Sequence, residues 1–177
     1  MKTAIIYYSM LGNTEYVVEQ IKSCLGNAQD IDVIRIEPQK AYPDKGAMKF
    51  FWGGKSAVMG EKPKLVPYEF DVEKYDRIIV GTPVWASNFV PPIRTFLHEN
   101  PSISKKKIAA FACCSGDGQK ALDRLKKYID IEAFVSELIL IDPKDNKDTA
   151  YKYSKKTFVI GCMVFVIGEY KRDGRQI

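Results

Sequence analysis

Four short unbroken apolar runs punctuate the chain: TAIIYYS (3–9), RIIVGTP (77–83), KIAAFACC (107–114) and SELILID (136–142). A fifth, IDVIRIE (31–37), alternates apolar and polar positions. Continuous runs of this length predict strands buried on both faces, and alternation predicts a strand with one wetter face. Between them the spacing changes to that of a helix. Thr14, Val17, Val18, Ile21 and Leu25 fall on one face, as do Ile93, Phe96 and Leu97 after Pro91, a residue suited to a first helical turn. Ala121, Leu122, Leu125 and Ile129 repeat the pattern over 119–129. Alternation of strand and helix predicts βαβ units. The expected fold is therefore α/β, with a doubly wound, five-stranded parallel sheet and helices on both faces in three layers.

Two stretches interrupt this rhythm. Residues 39–68 are an insertion-like connection in place of a simple crossover helix. They carry Lys40, Lys45, Lys49, Lys55, Lys62 and Lys64 against Asp44 and Glu61. Connections this long hold structure or function of their own; AMKFFWGGKSAVM (47–59) predicts a helix, with Phe50, Phe51 and Trp52 packed on the sheet or turned to a ligand. Beyond the fifth strand a last helix is expected, begun by DNKDTAYKYSKK with an aspartate cap. The stretch after it, TFVIGCMVFVIGEYKRDGRQI, is apolar and β-branched, several residues short of the ~20 a membrane span needs. A helix end followed by an extra strand, or a buried interface, are both open for 155–177.

Length and composition add bounds. A chain of 177 residues with 46% apolar content suits one domain, 1–177, with a proper core. The net charge of +5 is spread along the chain, which argues against a nucleic-acid tail. The N-terminus lacks a signal-peptide core, so a cytoplasmic location is expected. Cys24, Cys113, Cys114 and Cys162 have no C-x-x-C spacing, and with one histidine in the chain no metal site is expected. Cys113 and Cys114 read as small residues ending a buried strand, and His98 as a basic group at a helix C-terminus.

In an open parallel sheet, ligands sit beyond the carboxyl ends of the strands where the winding reverses. Three loops lie there. SMLGNT (9–14) offers the Ser9 and Thr14 hydroxyls, the Asn13 amide, Gly12 and a run of N–H groups at a helix N-terminus. That set suits a terminal phosphate, and a plain helix cap is the alternative. The loop after the third strand carries Trp85 and Phe89 with Ser87 and Asn88 between them; an aromatic here stacks on a planar ring or else caps the core. CCSGDGQKAL (113–122) places two glycines around Asp117, suited to close backbone approach or to a turn alone. Together the loops describe a site for a phosphorylated planar ring.

The S-x-x-G-x-T loop at Ser9–Thr14, the T-P-V-W stretch leading to PPIRTFL, and the glycine-rich turn at Ser115–Gly118 resemble the flavodoxin-like family over residues 1 to about 142. The resemblance implies an FMN-binding flavoprotein of the flavodoxin-like fold. Ser9, Met10, Leu11, Gly12, Asn13 and Thr14 would surround the phosphate. Pro83, Val84, Trp85, Ala86, Ser87 and Asn88 would border the isoalloxazine with Trp85 stacked on it. Cys114, Ser115, Gly116, Asp117 and Gly118 would meet the pyrimidine side, where Asp117 would lower the flavin potential. The chain is basic where electron-carrier flavodoxins tend to be acidic, and its third loop lacks the tyrosine that often covers the flavin. The expected function is electron transfer by an oxidoreductase that reduces a quinone or other small acceptor. An electron carrier docking a protein redox partner and a flavin-free interaction domain of the same fold are the alternatives; the expected partner is a redox protein or a small-molecule acceptor, and assembly as a homodimer is left open.

Overall fold

The computed structural model describes residues 2–25, 30–43, 48–146 and 151–155. The expected strands form β1 (Thr3–Tyr7), β2 (Ile31–Arg35), β3 (Arg77–Trp85), β5 (Lys107–Cys114) and β6 (Ser136–Ile141). All five are parallel to their neighbours, in the order β2-β1-β3-β5-β6. The chain runs outward from β1 to β2 and then returns to β3 on the other side of β1. Between β1 and β3 the winding therefore reverses, and a crevice opens beyond their carboxyl ends.

Each central strand buries both faces, as its unbroken apolar run requires. Ala4, Ile6, Ile78, Val80, Ile108, Ala110, Ala112 and Ile139 point into one core with Ile93, Phe96 and Leu97 of α3 (Pro91–Glu99) and Leu122, Leu125 and Ile129 of α4 (Gln119–Ile129). Ile5, Tyr7, Ile79, Ala109, Phe111, Cys113, Leu138 and Leu140 form a second core with Val17, Val18 and Ile21 of α1 (Asn13–Leu25). Helices thus cover opposite faces, and the strand period of 2 sorts neighbouring residues between two cores. Gly81 is paired in register with Phe111, and a Cβ added there would lie 2.4 Å from the phenyl ring.

The 39–68 connection contains helix α2 (Met48–Met59), as the pattern predicts. It closes on itself at its base: Gln39 donates to the Lys64 carbonyl and Val66 to the Glu37 carbonyl, each at 2.8 Å, around a Pro38–Leu65 bridge. The side chains of Phe50, Phe51 and Trp52 lie outside the described residues.

Two strands were not expected. Strand β4 (Asn88–Phe89) folds back antiparallel on the end of β3. The second corrects the reading of DNKDTAYKYSKK as a helix start: Tyr151–Lys155 is strand β7, antiparallel to β6 at the sheet edge. The physical reason is visible in YKYSK, where tyrosines alternate with polar residues at a period of two. The reading of 157–177 falls outside the described residues. Among the described residues no helix is long and apolar enough to cross a membrane.

Candidate functional site

Strand β1 delivers Ser9 and Thr14 to the crevice with both side chains buried. Gly12, at φ +88, turns the chain into α1, a conformation that favours glycine. Ser9 Oγ accepts the Glu15 N–H at 3.2 Å, and the Gly12 carbonyl accepts the Tyr16 N–H at 2.9 Å. Ser9 therefore does serve as a helix cap, yet the N–H groups of residues 10–14 find no acceptor among the described residues. A row of unsatisfied donors at a helix N-terminus attracts an anion. Arg35, at the end of β2, fixes the loop from outside: Nη2 donates to the Ser9 carbonyl at 3.1 Å, while the same guanidinium pairs with Glu15 and Glu37. Asn13 Oδ1 accepts the Lys144 N–H at 3.1 Å, tying this loop to the turn after Asp142.

The second loop is a tight hairpin between β3 and β4. Ala86 (φ +49) and Ser87 (φ +58) are both left-handed, as the turn of a two-residue hairpin demands. Trp85 lies edge-on to Tyr8 (centroids 5.8 Å) and Tyr42 (5.0 Å), which hold its indole at the crevice. Asn88 is buried: Nδ2 donates to the Ala57 carbonyl of α2 at 3.0 Å, and Oδ1 accepts the Phe89 N–H at 3.0 Å. The Ser87 carbonyl accepts from Arg124 of α4 at 2.8 Å. Phe89 belongs to the core, with the Arg94 guanidinium 4.4 Å from its ring centroid. Thr82 Oγ1 accepts the Val90 N–H at 3.2 Å and so closes the base of the loop.

The third loop follows β5. Cys113 is buried against α1, and that burial pushes its thiol up to about 12, a hydrogen bond with Thr14 acting in the opposite direction. Cys114 is half-buried, its Sγ 3.3 Å from the Gly116 carbonyl. The Asp117 carboxylate accepts the Gln119 N–H at 3.0 Å in the first turn of α4. Beside this loop, Asp142 directly follows β6, and its Oδ1 accepts from Ser115 Oγ at 3.2 Å.

These elements enclose a cavity of about 380 Å³, in the range of sites for ligands of cofactor size. Of the residues expected from sequence, Ser9, Met10, Leu11, Asn13, Thr14, Pro83, Val84, Trp85, Ala86, Cys114 and Ser115 line it. Gly12 is not on the wall itself but turns the loop between Leu11 and Asn13, which are. Ser87, Asn88, Gly116, Asp117 and Gly118 lie off the wall and support the two later loops. Asp117 is thus a helix cap in the structure, and the carboxylate on the cavity wall is Asp142. Cys113, Gly54 of α2 and Asp142 complete the lining without having been expected. Gly54 stands 3.7 Å, measured from a Cβ built on it, from Ala86 Cβ, so helix α2 offers bare backbone to the site. A long insertion gives no local signal of which glycine returns to a distant loop.

The donor set suits a phosphorylated planar ring: amide and hydroxyl donors at one end, a half-exposed indole and small residues at the other. Residues 2–153 match the flavodoxin family, and the chain belongs to it. Members of that family carry FMN as cofactor for electron transfer. The fold is shared with the flavoprotein from Lactobacillus acidophilus NCFM in complex with FMN, at 21% identity and a TM-score of 0.66, covering 84% of this chain and 97% of that one. The apo form of the Lactobacillus acidophilus NCFM flavoprotein gives 22% identity and 0.61, covering 85% and 97%. A structure from Bacteroides eggerthii DSM 20697 gives 20% identity and 0.65, covering 94% and 98%. No curated protein matches the chain.

Proposed function

We propose that the cavity holds FMN, with its phosphate in the 9–14 loop and its ring between Trp85 and the 113–115 turn, and that the loaded protein is an oxidoreductase delivering electrons to a quinone or a similar small acceptor. One observation carries the reading: among the described residues the N–H groups of residues 10–14 lack acceptors, at the very edge of a cavity walled by Trp85. FMN supplies the redox chemistry, and the protein supplies binding, orientation and local charge. Ser9 and Thr14 add hydroxyl donors to the amide row. Tyr8 and Tyr42 hold Trp85 at an angle that keeps its indole at the wall. No general acid or base is required of the lining. Ser115, Gly116 and Asp117 are exposed small or polar residues, and an acceptor reaching the ring from their side is part of this reading.

A second reading, a carrier that docks a protein partner, draws support from the end of α2. Val58 and Met59 are 65% and 66% exposed, close in sequence to Lys55 and Lys62 and to the cavity residue Gly54. An apolar pair among cations suits an acidic partner surface. The purified protein is expected to be yellow and to release FMN on denaturation. A colourless protein that fails to take up FMN would overturn both readings. Steady-state turnover of NADH or NADPH with a quinone supports the oxidoreductase, whereas reduction limited to one equivalent of protein supports the carrier.

A further inference from the structure

We propose that Lys144 reads the phosphate: its ammonium, carried over Gly12 by the turn that follows β6, is the countercharge that makes this site prefer a phosphate monoester over the same ring without one. The inference rests on the FMN reading above and adds a residue from a different loop to it.

The turn is built to hold Lys144 in place. Asp142 takes a left-handed φ of +39, and its carbonyl accepts the N–H groups of Asp145 and Asn146 at 3.0 and 2.9 Å. Its own N–H donates to the Cys114 carbonyl at 2.9 Å, tying the turn to β5. The Lys144 N–H donates to Asn13 Oδ1, tying it to the 9–14 loop. Nζ of Lys144 then lies 3.4 Å from where a Cβ on Gly12 would stand. Lys144 is not itself on the cavity wall: its ammonium rests beside Gly12, between Leu11 and Asn13, which are.

Charge makes the placement meaningful. Lys144 is exposed, and no carboxylate among the described residues pairs with it, so its ammonium is not already engaged by a carboxylate there. A phosphate monoester brings close to two negative charges at neutral pH. Asp142 is the only carboxylate on the cavity wall among the described residues, and it opposes such a ligand. Amide donors offer partial charges only. A full cation anchored through its own backbone offsets Asp142 at the end where the anion would sit.

The test is a titration of apo-protein with FMN and with riboflavin, followed by flavin fluorescence at low and high salt. In Lys144→Gln, FMN affinity is expected to fall by about threefold to tenfold with riboflavin affinity unchanged and the salt dependence of FMN binding flattened. Lys144→Arg should keep the preference. Lys105→Gln, at the opposite end of the sheet, removes the same charge and should leave both affinities alone. Equal losses for both ligands in Lys144→Gln, or no loss for either, would overturn the role of Lys144 while leaving FMN binding intact. Failure of the unmodified protein to bind FMN would instead remove the reading on which the role rests.

Discussion

At the scale of single residues, chemistry went where side chains could reach the cavity, and the sequence named types better than positions. Asp117 stands between two glycines in a site loop, but its carboxylate caps α4. Asp142 sits at the end of a strand with no motif around it, yet it lines the wall. Only the register of β6 beside β5 brings it there, and register is a tertiary fact. A carboxylate near a bound ring opposes the gathering of negative charge on it. Asp142→Asn should therefore raise the flavin midpoint potential by about 40 mV per electron, equivalent to ~1 kcal/mol for a partly solvated charge at a distance of several ångströms. Asp117→Asn should leave it in place; potentiometry on both variants decides between them. The pair Cys113 and Cys114 divides in the same way. Cys113, buried and pushed up to about 12, is expected to resist alkylation at pH 8 in the folded protein and to react once it is denatured, as peptide mass mapping would show.

At the scale of elements, the strands and helices of the sheet were legible because continuous apolar runs and helical spacing reflect burial directly. Strand β4 was not, because two residues give no period. Strand β7 was hidden by a composition that also suits a helix start. The hairpin between β3 and β4 shows what pattern reading misses most: its two left-handed positions are filled by Ala86 and Ser87, where Asn-Gly would be the comfortable choice. The conformation costs roughly 1–2 kcal/mol per residue without glycine. Ser87→Gly should accordingly raise stability by about 1 kcal/mol, seen as a Tm increase of roughly 2–4 °C. Gly81 gives the opposite case. Its alanine variant drives a methyl into the buried Phe111 ring and should lower stability by about 1–3 kcal/mol in denaturant unfolding.

At the scale of the whole molecule, the topology was legible since βαβ alternation leaves few arrangements, and the reversal between β1 and β3 then places the crevice. Charge is another global property. Burial raises the thiol of Cys113 and the phenol of Tyr68 to about 12, and the phenol of Tyr8 further still, against ordinary values of 9.0 and 10.0. Each group is held neutral by the fold but ionises more easily in the unfolded chain. Their contribution is intact below about pH 9 and is lost as pH climbs towards 12. A falling Tm between pH 9 and 11 is expected by circular dichroism, and a flat profile would contradict it. The 9–14 loop has a consequence of a different kind. Its anion donors are main-chain amides, steered by the φ of Gly12, the grip of Arg35 on Ser9 and the tie from Asn13 to the turn after β6. The side chains of Met10 and Leu11 line the cavity but contribute no donor to that row, so the cradle depends on the course of the backbone and not on their chemistry. Replacing either with another apolar residue of similar size should therefore change the shape of the cavity more than its hold on an anion.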